Sequence, residues 1–124
     1  MRVLVVSENP AERSRAASML RPRADVEIIE VATAAAAKAV LVAGGVDVAV
    51  VDGNLAPQGG YSFLYEAQQE AELHGVSTPP AIVLTSRPED SWLAGWASAA
   101  ATLPLPADPF AVARTVDELL AARR

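Results

Sequence analysis

The sequence contains no cysteine, which excludes disulfide bonds, thiolate metal sites and thiol-based catalysis. A chain without disulfides fits the reducing environment of the cytoplasm, where we expect this protein to work. The N-terminal run Arg2–Val6 is too short for the apolar core of a secretory signal peptide, and charged residues follow it. No apolar run reaches the length of a membrane span, so we expect no contact with membranes.

Positive charge is also scarce, and it is scattered along the chain. Ten Lys and Arg residues stand against fifteen Asp and Glu residues, which gives a formal net charge of −5. Without a basic cluster the chain offers no electrostatic surface for nucleic acid, so we expect none to bind. Aromatic residues make up only 5% of the 124 residues. The core of what we expect to be one domain, residues 1–124, must therefore consist of Val, Leu, Ile and Ala.

Five short apolar runs alternate with segments that carry helical signals. The runs predict strands at Val3–Val6, Val26–Val31, Val46–Val51, Ala81–Leu84 and, more weakly, Thr102–Leu103. Nearly continuous apolar strands are typical of a parallel sheet that is covered on both faces. The intervening helices are predicted to begin at Asn9-Pro10, Thr33, Tyr61 and Asp108-Pro109, with a fourth helix around Trp92 and Trp96. Glu12 is placed to complete a capping box with Asn9.

Strict alternation of strands and helices predicts an α/β fold with right-handed crossovers. We expect a flavodoxin-like, doubly wound (βα)5 domain whose five-stranded parallel sheet has the order 2-1-3-4-5. Ligands of such sheets bind beyond the carboxyl ends of the strands, near the switch between strands one and three. The residues at these ends are Ser7 and Glu8, Asp52 to Asn54, Thr85 and Ser86, and Leu105.

Two carboxylates, Glu8 and Asp52, are expected to converge at this edge of the sheet. Such a pair either binds a cation or raises the pKa of one of its members. Mg²⁺ prefers oxygen ligands and usually keeps several waters, so Glu8, Asp52 and the Asn54 carbonyl form a candidate metal site. Each of the two acids also has a purely structural interpretation, as a loop anchor or a first-turn charge.

The motifs at the strand ends resemble those of response-regulator receiver domains over nearly the whole chain. The matching segments are residues 3–10, residues 48–60 with Asp52, Leu84-Thr85-Ser86, and residues 97–106. The resemblance implies that Asp52 occupies the position that accepts a phosphoryl group from a histidine kinase. It also implies that Ser7 and Glu8 stand at the two acidic, Mg²⁺-binding positions, and that Thr85 can donate to a phosphoryl oxygen.

Three positions depart from the receiver pattern. Ser7 removes one negative charge from the metal site, and Leu105 stands where the family has a Lys that pairs with the acidic cluster. Because a phosphoryl group adds up to about two negative charges, these departures imply weak or absent Mg²⁺ binding and little stable aspartyl phosphate. Arg87 is the nearby candidate for a substitute cation, although it also fits a solvated loop charge. Thr102 stands where many receivers carry a switching aromatic residue.

Among the other singled-out residues, Thr85 and the two Trp residues have two interpretations each. Thr85 either bonds the backbone or serves the phosphoryl group. Trp92 and Trp96, four residues apart, either pack together against the sheet or form an interface, since Trp is enriched in interface hot spots. His74, next to Gly75 at the end of the third helix, is interpreted as a structural residue.

We also expect a cis peptide bond between Leu105 and Pro106, as the resemblance implies for this position. The side chain of Leu105 should then be turned onto apolar neighbours and away from Asp52. A trans bond, or a Leu105 side chain that fills the carboxylate pocket, would count against the alignment in this region.

Three functions from different classes follow. The first is a pseudo-receiver in two-component or phosphorelay signalling, a non-enzymatic module that acts without phosphorylation. It would bind a histidine kinase or an output protein, or self-associate through the fourth and fifth helices. The second is an active receiver that is phosphorylated on Asp52 with Mg²⁺. The third, a small flavodoxin-like enzyme domain, is disfavoured because the turn after strand one lacks a Gly-rich phosphate cradle.

Overall fold

Five parallel strands form one twisted sheet in a computed structural model that describes residues 1–90 and 92–122. The strands are β1 (Arg2–Val6), β2 (Glu27–Val31), β3 (Val48–Asp52), β4 (Ala81–Thr85) and β5 (Ala101–Pro104). The helices are α1 (Pro10–Ala17), α2 (Ala34–Ala43), α3 (Gly60–Leu73), α4 (Leu93–Trp96) and α5 (Pro109–Ala122). The strand order is β2-β1-β3-β4-β5, which confirms the predicted doubly wound fold.

The central strands are buried on both faces because helices cover both sides of the sheet. Leu4 and Val6 of β1 belong to a core cluster that includes residues of α2 and α3. Val3 and Val5 face the other way, into a cluster with residues of α1 and α5. All five residues of β3 are buried, as the apolar run from Val48 to Val51 predicts, and the burial extends to Asp52 at the end of the strand. Within the described part of the chain, no helix has both the length and the apolar character that a membrane span requires.

The start of α1 confirms one capping prediction and corrects another. The Asn9 side chain accepts a hydrogen bond from the Ala11 amide at 2.9 Å, so Asn9 is the predicted N-cap. The prediction of a capping box is wrong, because the Asn9 amide donates to Ser7 Oγ at 3.1 Å and not to Glu12. The Glu12 carboxylate instead accepts from the Ala107 amide at 3.3 Å. Glu12 therefore connects α1 to the loop after β5.

The fourth helix includes Trp96 but not Trp92, although the sequence analysis placed both residues on it. It covers four residues, follows a 3-10 helix at Pro88–Asp90, and begins after Trp92. Trp92 is 70% exposed and Trp96 46% exposed. The indole of Trp96 stacks on Tyr65 of α3, with ring centroids 4.5 Å apart and an interplanar angle of 8°. The interpretation that the two Trp residues pack together against the sheet is therefore wrong.

The predicted cis peptide bond between Leu105 and Pro106 is confirmed. A second cis bond, between Ala56 and Pro57, was not predicted. Both bonds lie in loops at the edge of the sheet where the strands end.

Gly60 lets α3 begin directly against the end of β3. A Cβ atom at this position would lie 2.5 Å from the Asp52 carbonyl oxygen and 2.9 Å from the Gly53 Cα. The Gly60 amide donates to the Gly53 carbonyl at 2.9 Å. The absence of a side chain at Gly60 thus sets the distance between α3 and the backbone of Asp52.

Gly60→Ala should lower the free energy of unfolding by roughly 1–3 kcal/mol, because the added methyl group overpacks a backbone contact. Urea unfolding measures the loss. Gly95→Ala is the matched control, since nothing lies within 4 Å of a Cβ at that position. Equal stability of the two variants would contradict the close packing at Gly60.

Candidate functional site

An open cavity of about 540 Å³ lies beyond the carboxyl ends of the strands. Its lining includes Glu8, Glu12, Asp52, Asn54, Ser86 and Leu105. The structure thus brings together the three residues predicted to bind a metal, from the loops after β1 and β3. Glu12 is a cavity residue that the sequence analysis missed. Its position in the first turn of α1, directly after the end of β1, was the available signal.

Both carboxylate oxygens of Asp52 accept hydrogen bonds from the chain itself. Ser7 Oγ donates to Oδ2 at 2.7 Å, and the Asn54 amide donates to Oδ1 at 2.8 Å. Asp52 is only 7% exposed and Ser7 only 2%. Because the Asn9 amide donates to the same Ser7 hydroxyl, a chain of hydrogen bonds runs from Asn9 through Ser7 to Asp52. A buried carboxylate needs such donors, since burial without them is costly.

Glu8 is also hydrogen-bonded within the protein. Its Oε1 accepts from the Ala56 amide at 2.7 Å, which ties the end of β1 to the loop between β3 and α3. Glu12 makes the corresponding connection to the loop after β5, through Ala107. Ser7, Glu8 and Glu12 therefore fasten the β1–α1 segment to the β3 end and to two further loops.

The predicted Mg²⁺ ligands are already hydrogen-bonded within the protein. In the parts of the chain that the structure covers, no group of three or more His, Asp or Glu side chains is placed to hold a metal. Each predicted carboxylate ligand, Glu8 or Asp52, already accepts a short hydrogen bond from the protein. Ser7 contributes a neutral hydroxyl whose proton is directed at Asp52. Mg²⁺ requires several oxygen ligands in near-octahedral geometry, and here it would have to share the Asp52 oxygens and Glu8 Oε1 with these hydrogen bonds or displace them.

Thr85 is turned towards its own loop. Its hydroxyl accepts from the Arg87 amide at 3.0 Å and donates to the Arg87 carbonyl at 3.3 Å. Arg87 Nε pairs with Asp90 at 2.8 Å and with Glu89 at 3.5 Å, and its side chain is 64% exposed. Arg87 does not belong to the cavity lining. The structure therefore places Arg87 in a local surface ion pair and not beside Asp52.

Leu105 takes a position that differs in part from the expected one. Its side chain packs against the apolar cluster formed by α1, α5 and the sheet, as predicted. It also lines the cavity that contains Asp52. Leu105 thus presents hydrocarbon to the carboxylates, and the lining residues that the structure describes include no Lys or Arg.

No family model matches this chain. The chain is similar to two curated response regulatory proteins of Mycobacterium tuberculosis, one from strain H37Rv and one from strain CDC 1551. Each is 39% identical over 127 aligned positions, which cover 98% of this chain and 92% of the relative.

Solved structures show the same fold at lower identity. The chemotaxis protein CheY4 of Vibrio cholerae superimposes with a TM-score of 0.79 at 22% identity, covering 96% of this chain and 98% of that chain. The receiver domain of the Saccharomyces cerevisiae response regulator Ssk1, crystallised with the histidine phosphotransfer protein Ypd1, gives a TM-score of 0.86 at 16% identity. That match covers 99% of this chain and 90% of the other.

Ser7→Ala should destabilise the protein by roughly 1–3 kcal/mol, because it leaves a buried carboxylate oxygen without its donor and the Asn9 amide without its acceptor. Denaturant unfolding measures the change. Ser14→Ala serves as the control, since Ser14 is exposed on α1 and its loss should stay within about 0.5 kcal/mol. An unfolding midpoint of Ser7→Ala equal to that of the control would show that the Ser7–Asp52 bond contributes little.

Proposed function

This chain belongs to the response-regulator receiver family of two-component signalling, and from that premise we propose that it is a cytoplasmic protein-interaction module whose output does not depend on phosphorylation. The observation that carries this proposal is the hydrogen bond from Ser7 to Asp52. It commits one oxygen of the acceptor carboxylate to the protein, while Asn54 holds the other. The resting conformation then determines what the module binds.

Charge at the cavity supports the same proposal. A phosphoryl group on Asp52 would place up to about two negative charges beside Glu8 and Glu12. A cation would have to offset this repulsion, and Leu105 supplies none. Arg87, the candidate replacement, is held by Glu89 and Asp90 on the surface. We therefore propose that an aspartyl phosphate on this chain is short-lived.

We also propose that Mg²⁺ binds weakly or not at all. A metal ion at this edge would compete for the carboxylate lone pairs with the Ala56 amide at Glu8 and the Ser7 hydroxyl at Asp52, or displace them. Each displacement leaves a protein hydrogen-bonding group without its partner, which adds a penalty to metal binding. Ser7 cannot compensate, because it carries no charge.

The partner face is proposed to lie on α4 and α5, where large apolar side chains remain in contact with solvent. Trp92, Trp96 and Phe110 are 70%, 46% and 64% exposed. Trp side chains at the centre of an interface contribute much of its binding energy. We propose that this surface binds a histidine kinase, an output protein or a second copy of the chain. The complex of the Ssk1 receiver with a phosphotransfer protein supports a signalling protein as the partner.

One observation favours the second candidate, an active receiver. Asp52, Glu8 and Asn54 line one open cavity, and Ser86 beside them has a small side chain. A phosphodonor that displaced the Ser7 hydroxyl would reach the Asp52 carboxylate through this open cavity. The two candidates differ in whether Asp52 is labelled, which is measurable.

The double variant Ser7→Asp with Leu105→Lys should gain phosphorylation of Asp52. The first change restores an acidic metal ligand and frees the Asp52 carboxylate, and the second supplies the missing cation. Mass spectrometry after incubation with Mg²⁺ and a small phosphodonor measures the labelling. Asp52→Asn in the double variant is the control that locates the label.

The unmodified protein should remain essentially unlabelled in the same experiment. Strong, Mg²⁺-dependent labelling of unmodified Asp52 would contradict the proposal and establish the active receiver. Absence of labelling in the double variant, if that variant folds, would show that Ser7 and Leu105 are not the residues that limit the reaction.

Trp92→Ala combined with Trp96→Ala should abolish self-association, or binding to a kinase partner, while leaving the fold intact. Sedimentation at high protein concentration and circular dichroism measure the two properties. Leu73→Ala is a suitable control, since Leu73 is 84% exposed but lies at the end of α3. Association that survives the double substitution would remove the Trp residues from the interface.

A further inference from the structure

A groove with a volume of about 550 Å³ lies on the outer surface between α2 and α3. Among the residues that the structure describes, it shares no lining residue with the cavity that contains Asp52. A space of this size is typical of sites that bind a ligand. Neither the fold nor the proposed function uses this groove.

The α2 wall of the groove is apolar and low. Ala35, Ala39 and Val42 line it at spacings of four and three residues, so they share one face of the helix. Ala35 and Ala39 are exposed, and their small side chains allow another helix to approach α2 closely. The buried ring of Phe63, on α3, completes the apolar lining. An apolar strip of this kind is suited to the apolar face of a second helix.

Two carboxylates line the α3 wall. Glu66 and Glu70 are four residues apart, so they lie on the same side of α3. Lys38, the only lysine of the sequence, is 3.9 Å from Glu66, and the two side chains are 37% and 52% exposed. Such an exposed ion pair contributes little stability. Within the described chain the Glu70 carboxylate forms no ion pair, so the wall carries an excess of negative charge.

The loop between β3 and α3 closes one end of the groove. Pro57 and Gln58 of this loop belong to the lining. The Ala56 amide, directly before them, donates to Glu8 at 2.7 Å and anchors the loop to the end of β1. This end of the groove is therefore fixed in the free protein, and a site that is formed in advance lowers the ordering cost of binding.

We propose that the groove between α2 and α3 binds a basic amphipathic helix of a partner protein. The apolar face of that helix lies on Ala35, Ala39 and Val42, and two of its Lys or Arg residues, one helical turn apart, pair with Glu66 and Glu70. Apolar anchors at helical spacing are the usual way in which a helix binds in a groove. The excess negative charge of the α3 wall selects basic partners over acidic ones.

A second copy of the chain fits the groove less well than a basic helix. Two copies that met through this face would double the excess of carboxylates over lysines at the interface, because each contributes Glu66, Glu70 and Lys38. The groove is also distinct from the proposed partner face on α4 and α5. Trp92→Ala combined with Trp96→Ala should therefore leave it intact, and failure of either proposal does not affect the other.

The probe is a synthetic helical peptide, longer than the roughly 15 residues below which isolated helices are marginal in water. It carries Leu along one face and pairs of Lys, four residues apart, beside that face. A twin peptide has Glu in place of every Lys. Titration of the Lys peptide into the unmodified protein should shift the backbone amide resonances of Ala35, Ala39 and Glu70 saturably, whereas the Glu peptide should not.

A charge reversal on the α3 wall tests the selection of a basic partner. Glu70→Lys should weaken binding of the Lys peptide by at least about tenfold, because like charges then meet, and should strengthen binding of the Glu peptide. Glu72→Lys is the matched control. It changes the net charge equally and lies on the same helix, but Glu72 is not among the lining residues, so binding of both peptides should stay as in the unmodified protein.

A substitution on the α2 wall tests the apolar contact. Ala39→Gln places a longer polar side chain in the groove and should abolish binding of the Lys peptide. Ala36→Gln is the control, since Ala36 is also exposed on α2 but does not line the groove. Both positions are exposed, so circular dichroism should show equal helix content and equal melting temperatures for the two variants.

Four results would overturn the proposal. The Lys peptide does not bind, or its shifts fall outside α2 and α3. The Glu peptide binds the unmodified protein as tightly as the Lys peptide does. Each variant binds the Lys peptide as tightly as its control. The resonances of Ala35 and Ala39 move with protein concentration alone, which would show that a second copy of the chain occupies the groove.

Discussion

The hydrogen bond from Ser7 to Asp52 joins the ends of the two central strands, and the loops of this edge are arranged around it. Asp52 is buried at the end of β3, where an unpaired carboxylate would be strongly unfavourable. Ser7 and the Asn54 amide satisfy its two oxygens at 2.7 and 2.8 Å. The described lining of the cavity contains no Lys or Arg, and neutral donors keep this carboxylate inside the fold.

The neighbouring acids, Glu8 and Glu12, also accept hydrogen bonds from backbone amides. Glu8 holds the Ala56 amide and Glu12 holds the Ala107 amide, so the first helix and the strand before it connect to two distant loops. Carboxylates that would otherwise be free to bind a cation thus stabilise one conformation of the edge. These bonds are the basis of the proposed function, in which a receiver fold with its acids engaged presents a fixed surface to a partner.

Local patterns in the sequence predicted the sheet well. The uninterrupted apolar runs around Leu4 and Val50 identified buried parallel strands, and Asn9 before Pro10 identified a helix start. The long-range contacts could not be read in this way. The bond from Ala107 to Glu12 spans 95 residues and that from Ser7 to Asp52 spans 45, and neither has a local signature.

Other features were missed for local reasons. Glu12 fitted a capping box by spacing alone, but the Asn9 amide had a better partner in Ser7. Trp92 was placed on the fourth helix because its spacing from Trp96 resembles a helical stripe, but that helix begins after Trp92. In the folded chain Trp96 stacks on Tyr65 instead. When a side chain has several possible partners, tertiary packing determines which one it contacts. The amino-acid sequence does not show that packing.

A Mg²⁺ titration of the unmodified protein, followed through the backbone amide resonances of Asn54 and Ala56, tests most directly whether the carboxylates are committed to the fold. These amides donate to Asp52 and to Glu8, so an ion that takes those oxygens must alter both resonances. If the carboxylates are engaged as described, the two resonances stay in place up to millimolar Mg²⁺. Saturable shifts of both amides at lower concentrations would contradict this and show a working metal site.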